Sequence, residues 1–488
     1  MMQLRQSSLQ RRWPQILSAL LLILALLNRQ LAWGLLGMGP LAFSQLMLFM
    51  SCLFLWLFVS LDWPSLICLL VLGIMPEVGF KLACQQSFGN STFVFLTFTF
   101  ALSYALEQTP ALCRLTARAL KAPWVQAKPR RFILVYLSVL LFMALFMSPT
   151  VLFMIIFPIY EAVCQAFGWE KGERSAGVLL FASYSCLAIG TAMTPINHVF
   201  AVTAMAIYKE ATGEAITYGQ YMRLGLPLGF LLFVILLLSV RFLWKLDLSR
   251  AKISQLELAG ELPQVTPQER HIVRVFLLVV ALWLLPELLS PLWPGLSAFF
   301  ARMGNVFPPL LGLILLALIR VEGEPLAKLP ELFRQGVFWP SLLLVGAALA
   351  LGYALTLPDV GLMAFVQANL GATLSGLSPY LLVLVFAAWT GIQTNFSSNL
   401  VSVTVVGSMA ISLLAGQPEA SLAPTVLCLV AFMASLAFMT PPAMPYVGIS
   451  LGSGWLSSRQ AFSYGLWLLV WAIALSVLVA YPLGQLIF

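Results

Sequence analysis

Apolar runs separated by short polar stretches recur along the whole chain, and most are near the ~20 residues a helix needs to cross a bilayer. They predict membrane spans near 14–36, 42–61, 64–80, 92–109, 222–244, 271–291, 297–319 and 338–357. Four other stretches are apolar enough but are interrupted inside. Residues 132–165 carry Ser148, Pro149 and Thr150 between two arms of about 16 residues. Residues 380–416 carry "QTNFSSN" at 393–399, with six of the seven residues polar. "GTAMTPINHVF", 190–200, breaks the span near 175–207, and "FMTPPAMPYVGI", 438–449, breaks a later one. A proline inside a helix removes a backbone donor and clashes with the preceding turn. The interruptions at 148–150 and 393–399 predict the tips of two re-entrant hairpins, and the two later proline segments predict broken helices.

Charge supports the hairpins. Basic residues in short loops mark the cytoplasmic side, so Arg5, Arg11 and Arg12 put the N-terminus inside. The loop 110–131 holds Arg114, Arg118, Lys121, Lys128, Arg130 and Arg131 without an acid. A single crossing at 132–165 would move Arg241, Lys245, Arg250, Lys252 and Arg270 outside, whereas a hairpin that enters and returns keeps them inside. By the same path the second hairpin enters from outside, flanked by Asp359 and Glu419.

Composition sets the class. Of 488 residues 61% are hydrophobic and 9% charged, where soluble proteins carry about a quarter charged. The chain is a polytopic membrane protein without a separate soluble domain. Its net charge of +8 serves orientation and does not point to nucleic acid. The seven cysteines lie in or beside apolar spans, show no paired motif, and read as small buried hydrophobes. The basic start lacks an A-x-A cleavage site and reads as a retained first span. The two histidines stand far apart and the 18 acids fall mostly in loops. That pattern does not fit the clustered acids, bases and nucleophiles of an enzyme.

The chain also repeats itself. "ALSYAL" begins at Ala101 and "ALGYAL" at Ala350. Ser148 follows the first by 47 residues and Ser398 the second by 48. "TPIN" follows at 93 and "TPPA" at 90. The second copy begins in the opposite orientation, so the repeats are inverted, as in many secondary transporters.

Irregular backbone at membrane depth survives only where it is buried in protein or lines an aqueous cavity. Two tips and two breaks meeting near the midplane would offer free N–H groups, carbonyls and partial helix charges. Carbonyls and hydroxyls suit Na⁺, and helix N-termini suit a carboxylate or another oxyanion. Almost no basic side chain lies in these segments, so the backbone would hold the anion. His198 has two readings: a neutral histidine hydrogen-bonded between helices, or a proton site replacing a sodium site.

These segments resemble the divalent anion/sodium symporter family, the dicarboxylate, citrate and sulfate carriers. "FMSPTVLFMIIFPI" and "AIGTAMTPINHVF" resemble its first tip and break. "VFWPSLLLVGAALALGYALTLPDVGL", "SSNLVSVTVV" and "FMTPPAMPYVGISLGSG" resemble the span before the second hairpin, the second tip and the second break, and the match covers about 90–465. The resemblance implies an all-α polytopic membrane protein of two inverted repeats, each with a re-entrant hairpin and a broken transmembrane helix. It implies an elevator-type secondary transporter in a bacterial inner membrane. Residues 1–130 and 269–375 would form the scaffold of a homodimer, 131–245 and 376–488 the transport domain, and 246–268 a cytoplasmic loop. The partners would be the lipid bilayer, a small anionic substrate and a second copy. No cofactor is implied beyond Na⁺ or H⁺ as coupling ion.

Carried over residue by residue, one cation site would use Ser148, Thr150, Gly190, Thr194 and Asn197, with His198 beside it. The other would use Ser398, Asn399 and Thr440. The substrate would lie against Ser148, Pro149, Thr150, Thr194 and Pro195 from one copy, and Ser398, Asn399, Leu400, Thr440 and Pro441 from the other. The family carries Ser-Asn-Thr at each tip and a Thr-Pro-Pro-Asn-like break. Here Pro149 and Leu400 stand at polar triplet positions, and Ala443 stands at the second Asn position. These departures imply an anion with an apolar portion, or one held through a single carboxylate. The alternatives are a membrane subunit that kept the fold without transport, and an arsenite or Na⁺/H⁺ antiporter of the same superfamily.

Overall fold

Many of the helices start where the sequence supplies a proline or a side-chain cap. Pro40–Phe58, Pro129–Ala144, Pro149–Ala166, Pro379–Phe396 and Pro445–Gly452 each open on proline, whose missing N–H costs nothing in the first turn. Thr217 with Gln220, and Ser457 with Gln460, form reciprocal capping boxes for Tyr218–Leu238 and Ser458–Leu475. The computed structural model describes all residues except 1–7, 34–36, 197, 251–263, 289–291, 305, 363, 366–368, 370–376, 415–420 and 442.

Among the described residues four helices are long and apolar enough to cross a membrane: Pro149–Ala166, Arg174–Met193, Tyr218–Leu243 and Ser458–Ile487. Leu329–Gly336 and Trp339–Leu355 make a fifth if the pair, bent by 76°, counts as one span. Shorter apolar helices include Ser91–Glu107, Phe307–Leu318, Asn399–Leu414 and Leu422–Ser435. The protein is an integral, multi-pass membrane protein. Ser458–Ile487 lies beyond the spans predicted from the pattern.

Two predicted spans are each two helices. The stretch 64–80 divides into Trp63–Ile74 and Gly79–Gln86, with Gly79 at φ +72°. The stretch 297–319 divides into Pro294–Met303 and Phe307–Leu318, with Gly304 at φ +74°. A positive φ redirects the chain between two helical paths, at the start of the second helix for Gly79 and after the end of the first for Gly304, and glycine takes it without a Cβ clash. The second tip is also tighter than "QTNFSSN" suggested. Gln393–Phe396 complete one helix and Asn399 begins the next, leaving Ser397 and Ser398 as the turn.

The helices at the positions of the expected hairpin arms are Pro129–Ala144 and Pro149–Ala166 for the first, and Pro379–Phe396 and Asn399–Leu414 for the second. Both arms of the first pack on Arg174–Met193, and both arms of the second on Leu422–Ser435. These two helices form the centre of the molecule. Every residue from Ser175 to Met193 and from Leu422 to Ser435 is buried, as their all-round apolar and small composition requires. Beyond each break the chain crosses to the other of these two helix groups. Val199–Thr212 packs on Asn399–Leu414 and Leu422–Ser435, while Pro445–Gly452 packs on Pro149–Ala166.

Candidate functional site

The first hairpin turn, 145–148, is held by the helix that ends at the first break. Thr194 Oγ1 donates to the Leu145 carbonyl at 3.0 Å, and Thr191 Oγ1 to Ala144 at 3.4 Å. Gly190 makes this approach possible, because a Cβ there would stand 2.5 Å from the Leu141 carbonyl oxygen. Pro149 opens the returning helix, and the Ser148 hydroxyl makes no cap. The Ser148 N–H instead donates to Glu107 Oε1 at 3.2 Å. A carboxylate at this point suits both the unpaired donor and the positive helix end.

The second turn is built around Asn395, which is fully buried. Its Nδ2 donates to the carbonyls of Gly391 at 2.8 Å and Leu436 at 3.0 Å. Its Oδ1 accepts from the N–H groups of Phe438 and Met439, both at 2.9 Å. The Thr440 hydroxyl donates to the Asn395 carbonyl, and Thr394 Oγ1 donates to Ala434 at 2.7 Å. With its amide nitrogen turned toward acceptors, Asn399 donates to the Ala443 carbonyl at 2.9 Å. Each tip is thus tied to its own break.

The two breaks are tied to each other. Tyr184 OH donates to the Phe438 carbonyl at 3.0 Å. His198 Nε2 lies 2.6 Å from Ser435 Oγ, which also lies 3.2 Å from the Ala431 carbonyl. A serine that donates to Ala431 accepts from Nε2–H, so the His198 ring bridges the two break segments through a single hydrogen bond. His198 is 2% exposed. This is the interhelical geometry of the first reading of that residue.

The expected site residues divide by accessibility. Ser148, Pro149, Thr150, Ser398 and Thr440 are partly exposed, and Pro441 is exposed. Gly190, Thr194, Pro195, Asn399 and Leu400 are buried. Leu400 sits in the apolar core at 4% exposure. Asn197 lies outside the described residues. Among the described residues no three His, Cys, Asp or Glu side chains are grouped to hold a metal ion. The polar atoms on offer are hydroxyls, amides and backbone groups, a donor set that fits Na⁺ better than a transition metal. Three participants escaped the sequence reading. Asn395 stood inside the polar tip segment, Glu107 is a lone acid closing an apolar run, and Tyr184 carries no local signal.

The sodium:sulfate symporter transmembrane region, as a family model, matches residues 64–488. The sodium-dependent dicarboxylate transporter SdcS of Staphylococcus saprophyticus is 26% identical over 438 residues, covering 85% of this chain and 80% of that protein. The protein of the same name from Staphylococcus aureus strain NCTC 8325 is 24% identical over 418 residues, covering 81% and 77%. Among solved structures, the Alcanivorax borkumensis YdaH transporter superposes with a TM-score of 0.57 at 14% identity, covering 90% of this chain and 97% of that one. Neisseria gonorrhoeae MtrF, from a class of antimetabolite efflux pumps, superposes with a TM-score of 0.55 at 12% identity, covering 96% and 95%. These two share the fold.

Proposed function

This chain belongs to the sodium:sulfate symporter family, and from that premise we propose that it is a sodium-coupled symporter of carboxylate-type organic anions, working by an elevator motion of one half of the molecule against the other. The observation that carries the proposal is the pairing of each hairpin turn with its own helix break, and of the breaks with each other through Tyr184–Phe438 and His198–Ser435. Such a cluster concentrates backbone N–H groups, carbonyls and hydroxyls at one place, where an oxyanion and Na⁺ can be held together. The names of the Staphylococcus relatives add sodium and a dicarboxylate as the first chemistry to try.

The bonds that join the tips to the breaks fit the elevator division, while Ser148–Glu107 and Asn90–Glu210 cross it. The hydrogen bonds between tips and breaks lie within 131–245 and 376–488. The buried bidentate pair Arg114–Glu269, at 2.6 and 2.9 Å, joins 1–130 to 269–375. In this proposal 1–130 and 269–375 are the fixed scaffold of a homodimer in a bacterial inner membrane, with the N-terminus inside.

Pro149 and Leu400 shape the substrate by the polar groups they leave out, Pro149 at the partly exposed first tip and Leu400 from within the apolar core. A carboxylate oxygen left without a partner in a desolvated site costs about 1–3 kcal/mol, more when charged. Two such losses weaken a dianion by roughly a hundredfold or more, at tenfold per ~1.4 kcal/mol. An anion with an apolar portion should therefore compete better than succinate or sulfate.

The test is uptake by the purified protein in liposomes. Radiolabelled succinate, with apolar monocarboxylates and sulfate as competitors, is offered under an inward sodium gradient and under a potassium gradient. Sodium-driven uptake is expected, with Pro149→Asn/Leu400→Thr shifting preference toward succinate. Uptake that ignores sodium but follows pH, and loses that response in His198→Gln, would replace sodium with a proton. No uptake under any gradient would make the chain a non-transporting subunit.

A further inference from the structure

Where the helix entering the first hairpin, Pro129–Ala144, meets the end of Tyr218–Leu238, the surface opens into a cavity of about 630 Å³. Arg130, Arg131, Arg241 and Lys245 line it, and among the described residues no acidic side chain does. None of the four is ion-paired with another described residue. The remaining wall is apolar and faces outward. Leu134, Leu238 and Phe242 line it and are 47%, 50% and 59% exposed.

The backbone here departs from a plain helix. Tyr218–Leu238 continues into a π-helical turn, Ser239–Leu243, and Lys245 follows with φ +48°. π turns inside helices gather at functional sites, and a left-handed lysine is unfavourable unless its surroundings hold it. The result brings Arg241 and Lys245 to the same cavity. The Arg241 guanidinium also lies 4.9 Å from the centre of the Phe242 ring. The rule that sets membrane orientation accounts for basic residues on this side. It does not account for a cavity that gathers four cations, none ion-paired with another described residue and Arg131 reaching only the Trp124 carbonyl, above an outward-facing apolar wall.

We propose that this cavity binds an anionic phospholipid, its phosphate held by Arg130, Arg131, Arg241 and Lys245 and an acyl chain lying along Leu134, Leu238 and Phe242. Charge complementarity selects the headgroup, since basic pockets between helices at the membrane surface attract anionic lipids. The outward apolar wall selects a lipid over a free anion, because it is continuous with surface that the bilayer already covers. The bound lipid would join the end of a long span to the helix whose far end is the first tip.

Native mass spectrometry of the full-length protein tests this. The protein is equilibrated in detergent with phosphatidylglycerol, with phosphatidylcholine of the same chains, or with inorganic phosphate. Phosphatidylglycerol should be retained at least tenfold better than phosphatidylcholine. Each surface cation contributes roughly fivefold, so Arg241→Gln/Lys245→Gln should lower retention about thirtyfold. Arg241→Lys/Lys245→Arg, which keeps both charges, should stay within about threefold. If the double glutamine variant has a lowered melting temperature, Arg131→Gln read alone should show the roughly fivefold loss. Equal retention of the two lipids overturns the proposal, as does unchanged retention in a glutamine variant that melts like the parent. Displacement of phosphatidylglycerol by millimolar phosphate, with phosphate itself retained, would assign the cavity to a free anion instead.

Discussion

Asn395 shows how much one side chain can hold at membrane depth. Its amide satisfies two carbonyls and two N–H groups, three of the four belonging to 436–439, more than forty residues away. Truncation to alanine leaves those buried groups without partners, at about 1–3 kcal/mol each before relaxation. Asn395→Ala should therefore lower the melting temperature in detergent and abolish uptake. Asn395→Asp keeps the acceptor side but sets a carboxylate against the carbonyls of Gly391 and Leu436, and should be no better. A melting curve indistinguishable from the parent for the alanine variant would show that Asn395 does not organise the second break. The residue was visible in the polar stretch at 393–399, yet only as part of a tip. Its role depends on a segment that arrives from far along the chain, and no local pattern encodes that arrival.

At the scale of elements, the breaks and the hairpin turns fell where proline and clustered hydroxyls stood, because those residues alter backbone hydrogen bonding wherever they occur. Helix ends set by glycine were harder to place. Gly79, which opens the second helix of its pair, and Gly304, which caps the first helix of its pair, both take positive φ, but glycine in an apolar run is equally common in an unbroken membrane helix. The hairpins themselves lead to a labelling experiment. With the seven native cysteines removed, Thr150→Cys should react from the cytoplasmic side and Ser398→Cys from the outer side; equal reaction from one side only would remove the inverted hairpins. Glu107 adds a second arm to the measurement. It accepts from the Ser148 N–H and comes from the part assigned to the scaffold, so it ties the first tip to that scaffold. A lost cap is worth about 0.5–2 kcal/mol. Glu107→Ala should thus speed labelling at position 150 by between roughly twofold and thirtyfold, while labelling at 398 stays as it was. An unchanged rate at 150 would show that the contact does not restrain the tip.

For the whole molecule, Arg114 and Glu269 join segments 155 residues apart through two buried hydrogen bonds. Removing one partner of a buried pair strands the other charge and costs about 3–5 kcal/mol, whereas an apolar pair of similar volume is often tolerated. Arg114→Met should lower the melting temperature sharply, and Arg114→Met/Glu269→Leu should recover most of the loss. A single variant as stable as the parent would mean the two parts are not held together here. The sequence by itself determined that this is a multi-pass membrane protein, where most of its apolar helices run, where proline interrupts them, and which family the interrupted segments resemble. Those properties follow from windows of about 20 residues, whose transfer from water to lipid is nearly a sum over local composition. Only the tertiary structure decided that each break closes on its own hairpin turn, that Tyr184 and His198 join the two breaks, and that four basic residues share one cavity. A backbone group orphaned by a break must find its partner somewhere in the fold, and the partner's distance along the chain leaves no trace in the residues that need it.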